Sequence, residues 1–205
     1  MIRRGENTSY AFARARVAGR HRAMRIAETD IFIVPGLSGG TEDHWYSRWA
    51  AKLPTARRVQ QADWHNPNLE AWTERLIATV QGAKRPAVLV AHSLGCITIA
   101  HAAPKIAAKV AGAFLVAPPS REVMLSISAI DPAFAEVPRD PLPFPAVLIA
   151  SRDDTYAHYL DSEKLAHDWQ AELVDAGASG HINDESGHGP WPEGLMRFAG
   201  FLKTL

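Results

Sequence analysis

The sequence predicts an α/β fold with a parallel, doubly wound sheet of six strands. Short apolar runs rich in β-branched residues alternate along the chain with stretches in which apolar residues recur at helical spacing. Strands that alternate with helices are typical of a parallel sheet joined by right-handed crossovers. The 205 residues suit one domain with a full core. The predicted strands cover residues 31–34, 57–61, 87–91, 110–117, 145–150 and 171–174.

Two helices are expected between the first three strands. After the first strand, a glycine-rich turn leads into residues 45–53, where Trp45, Trp49 and Leu53 share one face. The second strand is weak in sequence, and residues 69–81 after it carry apolar side chains at helical spacing. The expected starts are Thr41 for the first helix and Asn66 with Pro67 for the second, and the expected stops are Pro54 and Gly82.

The second half of the chain continues the alternation of strands and helices. Helical stretches are expected over residues 94–103, 156–169 and 192–202. The chain shows no internal repeat and no second domain.

Residues 1–28 differ in composition from the rest of the chain. Seven arginines lie there among glycine, alanine and serine, with little apolar periodicity. Such a segment carries too little apolar surface to pack a core of its own. We expect a basic, poorly ordered extension over residues 1–28 and one domain over residues 29–205.

Charge and cysteine content exclude several classes of function. The 22 basic and 22 acidic residues cancel, so no general attraction to nucleic acid or to anionic membranes is expected. Cys96 is the only cysteine, which excludes an internal disulfide and a cysteine-based zinc site. No apolar run approaches the roughly 18 residues of a membrane-spanning helix. We expect a cytoplasmic protein that acts on a small molecule with no cofactor and no metal.

The third predicted strand ends in the pentapeptide A-H-S-L-G, with Ser93 between the strand and the next helix. A sharp strand-to-helix turn holds a side chain beyond the end of a sheet, where helix-opening N–H groups can face an oxyanion. The common form of this nucleophile elbow is G-x-S-x-G, and the small residues Ala91 and Gly95 occupy the two glycine positions. The alternative is a serine that caps an ordinary helix. The pentapeptide alone leaves both interpretations open.

Two further strands lead into residues that suit a catalytic triad. The fifth predicted strand runs into S-R-D-D-T-Y, which contains Asp153 and Asp154, and the sixth is followed by His181. The carboxyl ends of parallel strands meet at one edge of a sheet, where ligands bind. Serine, aspartate and histidine in this chain order are typical of α/β-hydrolases. His188, also between glycines, is the alternative base.

Five segments of the chain carry a resemblance to a known family. They are V-P-G-L-S-G-G, D-W-H-N-P-N-L-E-A-W, A-H-S-L-G, S-R-D-D-T-Y and, as the most specific, G-H-I-N-D-E-S-G-H-G-P-W-P-E-G. From about residue 30 to its end, the chain resembles the family of small α/β-hydrolase serine hydrolases that includes retinoblastoma-binding protein nine and its bacterial relatives. The resemblance implies Ser93 as nucleophile, Asp154 as acid and His181 as base. Thr155 departs from the pattern, because family members usually carry proline after the aspartate.

The residues around these strand ends suggest how an oxyanion and a substrate would be held. The backbone N–H groups of Leu37, in the turn after the first strand, and of Leu94, after the serine, are the expected oxyanion donors. His92 is expected to pack or hydrogen-bond beneath the elbow. Lids in this fold commonly follow the fourth strand, but the segment there is short and rich in proline, so we expect no large cap and an open pocket. Candidate pocket residues are His44, Trp45, Trp64 and Trp191.

The sequence therefore predicts a serine hydrolase that cleaves a small carboxylic ester, thioester or amide through an acyl-enzyme on Ser93. Asp153 is then expected to be a solvated carboxylate of the turn. The alternative is a catalytically silent protein of the same fold that binds a ligand or another protein, because fold alone does not fix function. Chemistry on the same fold that does not use the serine is a third possibility.

Overall fold

In the computed structural model, which describes residues 24–205, six parallel strands form one sheet in the order β2-β1-β3-β4-β5-β6. All five neighbouring pairs are parallel, which confirms the predicted fold class. The strands are β1 (Asp30–Val34), β2 (Ala56–Arg58), β3 (Ala87–His92), β4 (Val110–Val116), β5 (Ala146–Ala150) and β6 (Glu172–Asp175). The helices are α1 (Trp45–Lys52), α2 (Leu69–Gln81), α3 (Leu94–Ile106), α4 (Arg121–Ser126), α5 (Tyr159–Asp168) and α6 (Pro192–Leu202).

The central strands are buried on both faces, and each face packs against its own layer of helices. Along β1, Phe32 and Val34 belong to the core shared with α2, α3, α4 and α5, whereas Ile31 and Ile33 belong to the core shared with α1 and α6. Side chains of a strand alternate between its two faces, so consecutive apolar residues are required where both faces are covered. This arrangement explains the unbroken apolar runs that predict β1, β3 and β5.

The strand order reverses between β1 and β3, which are neighbours in the centre of the sheet. Ile31 of β1 pairs with Ala56 of β2 on one side and with Val88 of β3 on the other. The connections after β1 and β3 therefore leave in opposite directions along the sheet. They open a crevice beyond the carboxyl ends of these two strands, which is the usual binding position in an open α/β sheet.

Two helix starts differ from those expected from the sequence. The N-cap of α2 is Asn68, whose side chain accepts from the Ala71 N–H, and not Asn66. Asn66 lies instead in a turn whose backbone N–H groups are held by the Asp63 carboxylate. Thr41 does not cap α1, because its hydroxyl donates to Asp184 across the site.

Three other bounds differ by more than one residue from those expected. β2 ends at Arg58, since the next residues leave the sheet, although the Val59 N–H still donates to Ile33. α3 continues through Pro104 to Ile106 instead of stopping before the proline. α5 begins at Tyr159, because the Asp154 carboxylate accepts from the Tyr156 N–H and keeps that stretch in a turn.

Between β4 and β5 the chain forms only the six-residue α4 and a 3-10 turn at Pro132–Ala135. This confirms the prediction that no large cap domain covers the sheet.

Residues 26–28, predicted as part of the extension, form a 3-10 turn against the domain. The Ile26 carbonyl accepts hydrogen bonds from Thr29 and Thr55, and its side chain packs on the core between the sheet and α1 and α6. The domain thus includes residues before the predicted boundary. Residues 1–23 lie outside the described residues, so the extension stays a prediction there. No helix within residues 24–205 is long and apolar enough to cross a membrane.

Candidate active site

Ser93 is the single residue between β3 and α3, and its backbone is strained. Its φ of 53° and ψ of −126° lie in a region that non-glycine residues rarely adopt. The neighbouring backbone passes very close to this turn, which is possible because Gly36 and Gly95 have no side chains. A Cβ at Gly36 would lie 2.8 Å from the Ser93 Cβ, and a Cβ at Gly95 would lie 2.8 Å from the Pro35 carbonyl oxygen. The sequence A-H-S-L-G thus folds as the expected nucleophile elbow, with the half-buried Ser93 at its tip.

A continuous hydrogen-bonded chain connects Ser93 to a buried carboxylate through His181. The Ser93 Oγ lies 3.0 Å from the His181 Nε2, and the His181 Nδ1 lies 2.9 Å and 3.0 Å from the two Asp154 carboxylate oxygens. The side chains of His181 and Asp154 are 8% and 3% exposed. An ionised carboxylate only accepts hydrogen bonds, so the Nδ1 carries the proton and the Nε2 lone pair faces the serine hydroxyl.

Asp153, the other aspartate of the turn, has a structural position of its own. Its carboxylate accepts from the Ser151 hydroxyl and from the Gly180 N–H, both at 2.8 Å. These hydrogen bonds lower its pKa, and they tie the turn after β5 to the residue that precedes His181. Asp153 is exposed, as expected for a solvated carboxylate of the turn, and it also holds the loop before His181 through these hydrogen bonds.

The two expected oxyanion donors lie on either side of the elbow. Gly36 and Gly39 close a tight turn through a 3.1 Å hydrogen bond, and Leu37 within it lines the cavity next to Ser93. Leu94 opens α3, where N–H groups have no partner inside the helix. Neither the Leu37 nor the Leu94 N–H has a hydrogen-bond acceptor among the described residues. Both N–H groups are therefore available to an acceptor from outside the described residues.

His92 lies beneath the elbow, as expected from the sequence, and contacts His181. Its Nε2 lies 2.8 Å from the backbone oxygen of His181. A carbonyl oxygen only accepts, so the His92 Nε2 donates. Burial, with the charges of nearby histidines, holds the pKa of His92 well below its usual value, so the ring is neutral.

A cavity of about 360 Å³ opens over Ser93. Of the four pocket candidates from the sequence, only His44 lines it. Trp45 and Trp191 lie in the core beneath α1 and α6 instead, and Trp64 packs on the other core. The prediction is wrong for Trp45 and Trp191 because both are almost fully buried: the Trp45 indole N–H donates to the Ile182 carbonyl, and its ring packs against Trp191.

The sequence interpretation missed several residues that line the cavity. Two of them follow predicted site residues closely: Tyr156 stands two residues after Asp154, and Asn183 stands two residues after His181. The Tyr156 ring stacks on the His181 ring, with the ring centroids 4.2 Å apart. The sequence signal for Tyr156 and Asn183 was their position shortly after the end of a strand. Tyr46 gave no such signal, because it lies in α1, where the apolar spacing predicts core packing. The missed residues are Tyr46, Tyr156, Asn183, Asp184 and Glu185.

The remaining candidate groups stay outside the hydrogen-bonded chain. The His188 Nδ1 lies 3.2 Å from the Ser186 hydroxyl, and the His188 carbonyl accepts from the Trp45 N–H, so this residue holds its loop. Cys96 is buried in α3, where burial raises the pKa of its thiol. Among residues 24–205, no group of three or more His, Cys, Asp or Glu side chains is arranged to hold a metal ion.

Comparison with known proteins identifies the family. A serine hydrolase family model matches residues 31–200. A YdeN-like hydrolase from Pectobacterium atrosepticum is 30% identical, with a TM-score of 0.78 over 87% of this chain and 92% of that chain. The ydeN gene product of B. subtilis is 22% identical, with a TM-score of 0.71 over 85% and 98% of the two chains. A hydrolase of the α/β superfamily from Xanthomonas campestris is 19% identical, with a TM-score of 0.61 over 85% and 97%. No curated protein matches the chain.

These matches confirm the resemblance to small serine hydrolases that the sequence motifs indicate. The particular link to retinoblastoma-binding protein nine stays a prediction. The family model spans nearly the whole domain, and the Pectobacterium structure shares both fold and sequence with it. The chain therefore belongs to the serine hydrolase family and is an α/β-fold hydrolase.

Proposed function

We propose that the protein cleaves a small carboxylic ester, thioester or amide through an acyl-enzyme on Ser93. The observation that carries the proposal is the hydrogen-bonded chain from Asp154 through His181 to Ser93. This chain ends beside two backbone N–H groups, of Leu37 and Leu94, that have no acceptor among the described residues. A nucleophile, a base with an orienting carboxylate and an oxyanion site are the parts that acyl transfer requires.

In the first step, the Ser93 Oγ attacks the substrate carbonyl carbon while the His181 Nε2 takes the hydroxyl proton. The Asp154 carboxylate holds the Nδ1 proton and stabilises the positive charge that develops on the ring. The carbonyl oxygen becomes negative, and the Leu37 and Leu94 N–H groups stabilise it with hydrogen bonds that strengthen as the charge forms. His181 then returns the proton to the leaving group, and the carbonyl double bond re-forms.

In the second step, water replaces the leaving group. His181 takes a proton from the water, whose oxygen attacks the acyl carbon, and the same two N–H groups hold the second oxyanion. Collapse of this intermediate returns the proton to Ser93 and releases a carboxylic acid. Each bond is made and broken by water or by residues of this chain, so the proposed reaction uses no cofactor.

The shape of the site supports a small or exposed acyl group as substrate. The cavity holds about 360 Å³, and only α4 and a short 3-10 turn lie between β4 and β5. No lid is available there to enclose a long acyl chain. The single, buried cysteine supports a cytoplasmic location, since cysteines of secreted proteins commonly pair in disulfides.

Steady-state hydrolysis of short acyl esters and thioesters tests the proposal. Ser93→Ala and His181→Ala should each lower kcat by about 10³-fold or more, because only the oxyanion site and substrate binding remain. His188→Ala should lower kcat far less, since the His188 side chain bonds only to the Ser186 hydroxyl of its own loop. Ser126→Ala, on the exposed end of α4, is the matched serine control. Turnover retained by Ser93→Ala would remove the acyl-enzyme from the mechanism.

A further inference from the structure

Two buried polar side chains of the cavity have no hydrogen-bond partner among the described residues. His44 is 3% exposed and Tyr46 is 2% exposed, and both line the cavity over Ser93. Their rings stack at 3.6 Å. The His44 Nδ1 is fully buried without a partner, and no described residue bonds to the Tyr46 hydroxyl. Buried polar groups are normally paired, so the unpaired His44 nitrogen, next to a Tyr46 hydroxyl without a partner among the described residues, indicates a site for a polar ligand.

Both side chains stay neutral and offer lone pairs. Burial lowers the pKa of His44 to about 3, so the ring is uncharged at neutral pH and one of its nitrogens is an acceptor. Burial raises the pKa of the Tyr46 hydroxyl, which therefore keeps its proton and its acceptor lone pairs.

A carboxylate completes this part of the cavity. Asp184 also lines it, and its Oδ2 accepts a 2.5 Å hydrogen bond from the Thr41 hydroxyl. That hydrogen bond lowers the pKa of Asp184, so the carboxylate is ionised at neutral pH. Its negative charge acts to raise the pKa values of both His44 and Tyr46.

The charges around the cavity favour a cation. The exposed Glu185 adds a second carboxylate to the lining, which contains no lysine or arginine among the described residues. The positive charge of Arg58 acts to lower the pKa values of both His44 and Tyr46, but Arg58 does not line the cavity. Its guanidinium donates to the Gly39 carbonyl and lies 5.0 Å from the centre of the Trp64 ring.

We propose that His44, Tyr46 and Asp184 form a subsite that binds a primary ammonium group of the substrate. An ammonium carries three donors, no acceptor and one positive charge, which matches two neutral acceptors and one carboxylate. This inference rests on the proposed function, since the subsite shares its cavity with Ser93. The enzyme then selects ammonium-bearing esters, thioesters or amides over neutral substrates of the same shape and over carboxylates.

Three matched phosphonate probes test the subsite. Each is a 4-nitrophenyl phosphonate whose chain ends in an ammonium, a methyl or a carboxylate group, in a series of equal chain lengths. The Ser93 oxygen bonds to phosphorus, 4-nitrophenolate leaves, and the hydroxyl proton passes to His181. One set carries the chain on the phosphorus-bound carbon, which mimics the acyl part, and a second set carries it on the retained alkoxy group. The measured quantity is the second-order rate of Ser93 modification.

The ammonium probe should react about tenfold or more faster than the methyl probe in at least one set, and the carboxylate probe should react slowest. Asp184→Asn keeps an acceptor for Thr41 and removes the charge, so it should abolish most of this preference, measured as the ratio of the ammonium rate to the methyl rate. Asp43→Asn is the matched control. Asp43 is an exposed carboxylate close by in the chain that pairs with Arg48 and does not line the cavity, so the preference should persist.

The outcomes separate this inference from the proposed function. Equal rates for the ammonium and methyl probes in both sets would overturn the subsite and leave Ser93 as the nucleophile. A preference that is unchanged in Asp184→Asn would also overturn it. If none of the probes modifies Ser93 in the folded protein, the proposed function fails and the subsite fails with it.

Discussion

His181 is held from three directions by residues of two strand ends. Asp154 bonds its Nδ1, His92 donates to its backbone oxygen, and Asp153 accepts from the N–H of Gly180 before it. A side chain that exchanges protons with Ser93 must stay within hydrogen-bond reach, and small displacements of reacting groups are costly. Asp154 therefore contacts the ring of His181 itself, whereas His92 and Asp153 hold the backbone of the loop that carries it.

The two adjacent aspartates should therefore respond very differently to the same substitution. Asp154→Asn removes the charge that stabilises the imidazolium and permits the wrong ring tautomer, so kcat should fall by about 10³- to 10⁴-fold. Asp153→Asn keeps an acceptor for the Gly180 N–H, so kcat should fall by less than about tenfold. Steady-state kinetics of both variants with one short ester measure the difference. Equal losses would mean that the assignment of Asp154 as the acid is wrong.

His92 should act as a positioning residue for His181. In His92→Gln, the side-chain amide can still donate to the His181 carbonyl, so activity should stay within a few-fold of wild type, whereas His92→Phe should lose about 10- to 100-fold in kcat. Since Phe fills the space and only the donor is lost, KM and thermal stability should change much less than kcat. A parallel fall of kcat and melting temperature in both variants would indicate a purely structural histidine.

The main site residues were predictable because each lies in the turn or loop that follows a strand. Ser93 directly follows β3 in a recognisable elbow, and Asp154 and His181 lie in the loops after β5 and β6, in the order expected for the fold. The choice between the two aspartates needed the family resemblance in addition to position. The pocket was not predictable in the same way: Trp45 and Trp191 look like binding residues in a turn, but their indoles fill the core.

At the scale of elements, the elbow depends on how closely α3 passes β1. A Cβ at Gly95 would meet the backbone oxygens of Val34 and Pro35, neither of which can turn away as a side chain could. The turn after β1 carries Leu37, so the contact that seats α3 also positions one of the two proposed oxyanion donors. Gly36 on the other side of this contact is equally confined by Ser93.

Gly95→Ala should lower both stability and activity. The extra methyl forces α3 and β1 apart, which should cost about 1–3 kcal/mol of unfolding free energy, and kcat should fall because the oxyanion donors move relative to Ser93. Gly200→Ala is the matched control in α6, where nothing lies within 4 Å of the added Cβ. It should leave kcat unchanged and stabilise the protein by about 0.5–1 kcal/mol, since alanine favours a helix. Urea unfolding and steady-state kinetics compare the two. An unaffected Gly95→Ala would show that the elbow does not need this contact.

The sequence predicts which elements exist better than it predicts their ends. α6 begins at Pro192 and ends at Leu202 as expected, because the apolar spacing and the proline agree. α2 has Asn68 as its N-cap because Asp131, remote in sequence, accepts from the Asn68 side-chain amide and from the Leu69 N–H. No local pattern around Asn66 reports that contact.

For the whole molecule, the reversal of strand order between β1 and β3 decides where chemistry can take place. The carboxyl end of β1 carries the oxyanion turn, and its amino end carries Asp30. Asp30 is 2% exposed, and its carboxylate accepts from the backbone N–H groups of Lys84 and Arg85 and contacts the Arg57 and Arg85 guanidinium groups. The hydrogen bonds and ion pairs of Asp30 thus hold the amino end of β1, at the end of the sheet opposite the site.

Asp30 should make stability depend on pH. Burial alone would raise its pKa, but the Lys84 and Arg85 hydrogen bonds and the two arginine charges together lower the pKa below its ordinary value of 3.8. A carboxyl whose folded pKa is lowered stabilises the fold above its unfolded pKa and loses this contribution as the pH falls through its folded pKa. Asp30→Asn should therefore cost about 1–3 kcal/mol at neutral pH, and the difference from wild type should shrink below about pH 4. Urea unfolding at both pH values measures it. A difference that is constant with pH would contradict an ionised Asp30.

The proposed mechanism requires Ser93 to be an activated nucleophile. Its most direct test is reaction of the folded protein with a fluorophosphonate probe, followed by mass spectrometry of the modified peptide. Ser93→Ala and heat-denatured wild type serve as controls, because activation depends on the folded contact between His181 and Ser93. We expect one adduct, on the peptide that contains Ser93, in folded wild type alone. No adduct on a demonstrably folded protein, or an adduct on another residue that persists in Ser93→Ala, would contradict the proposed mechanism.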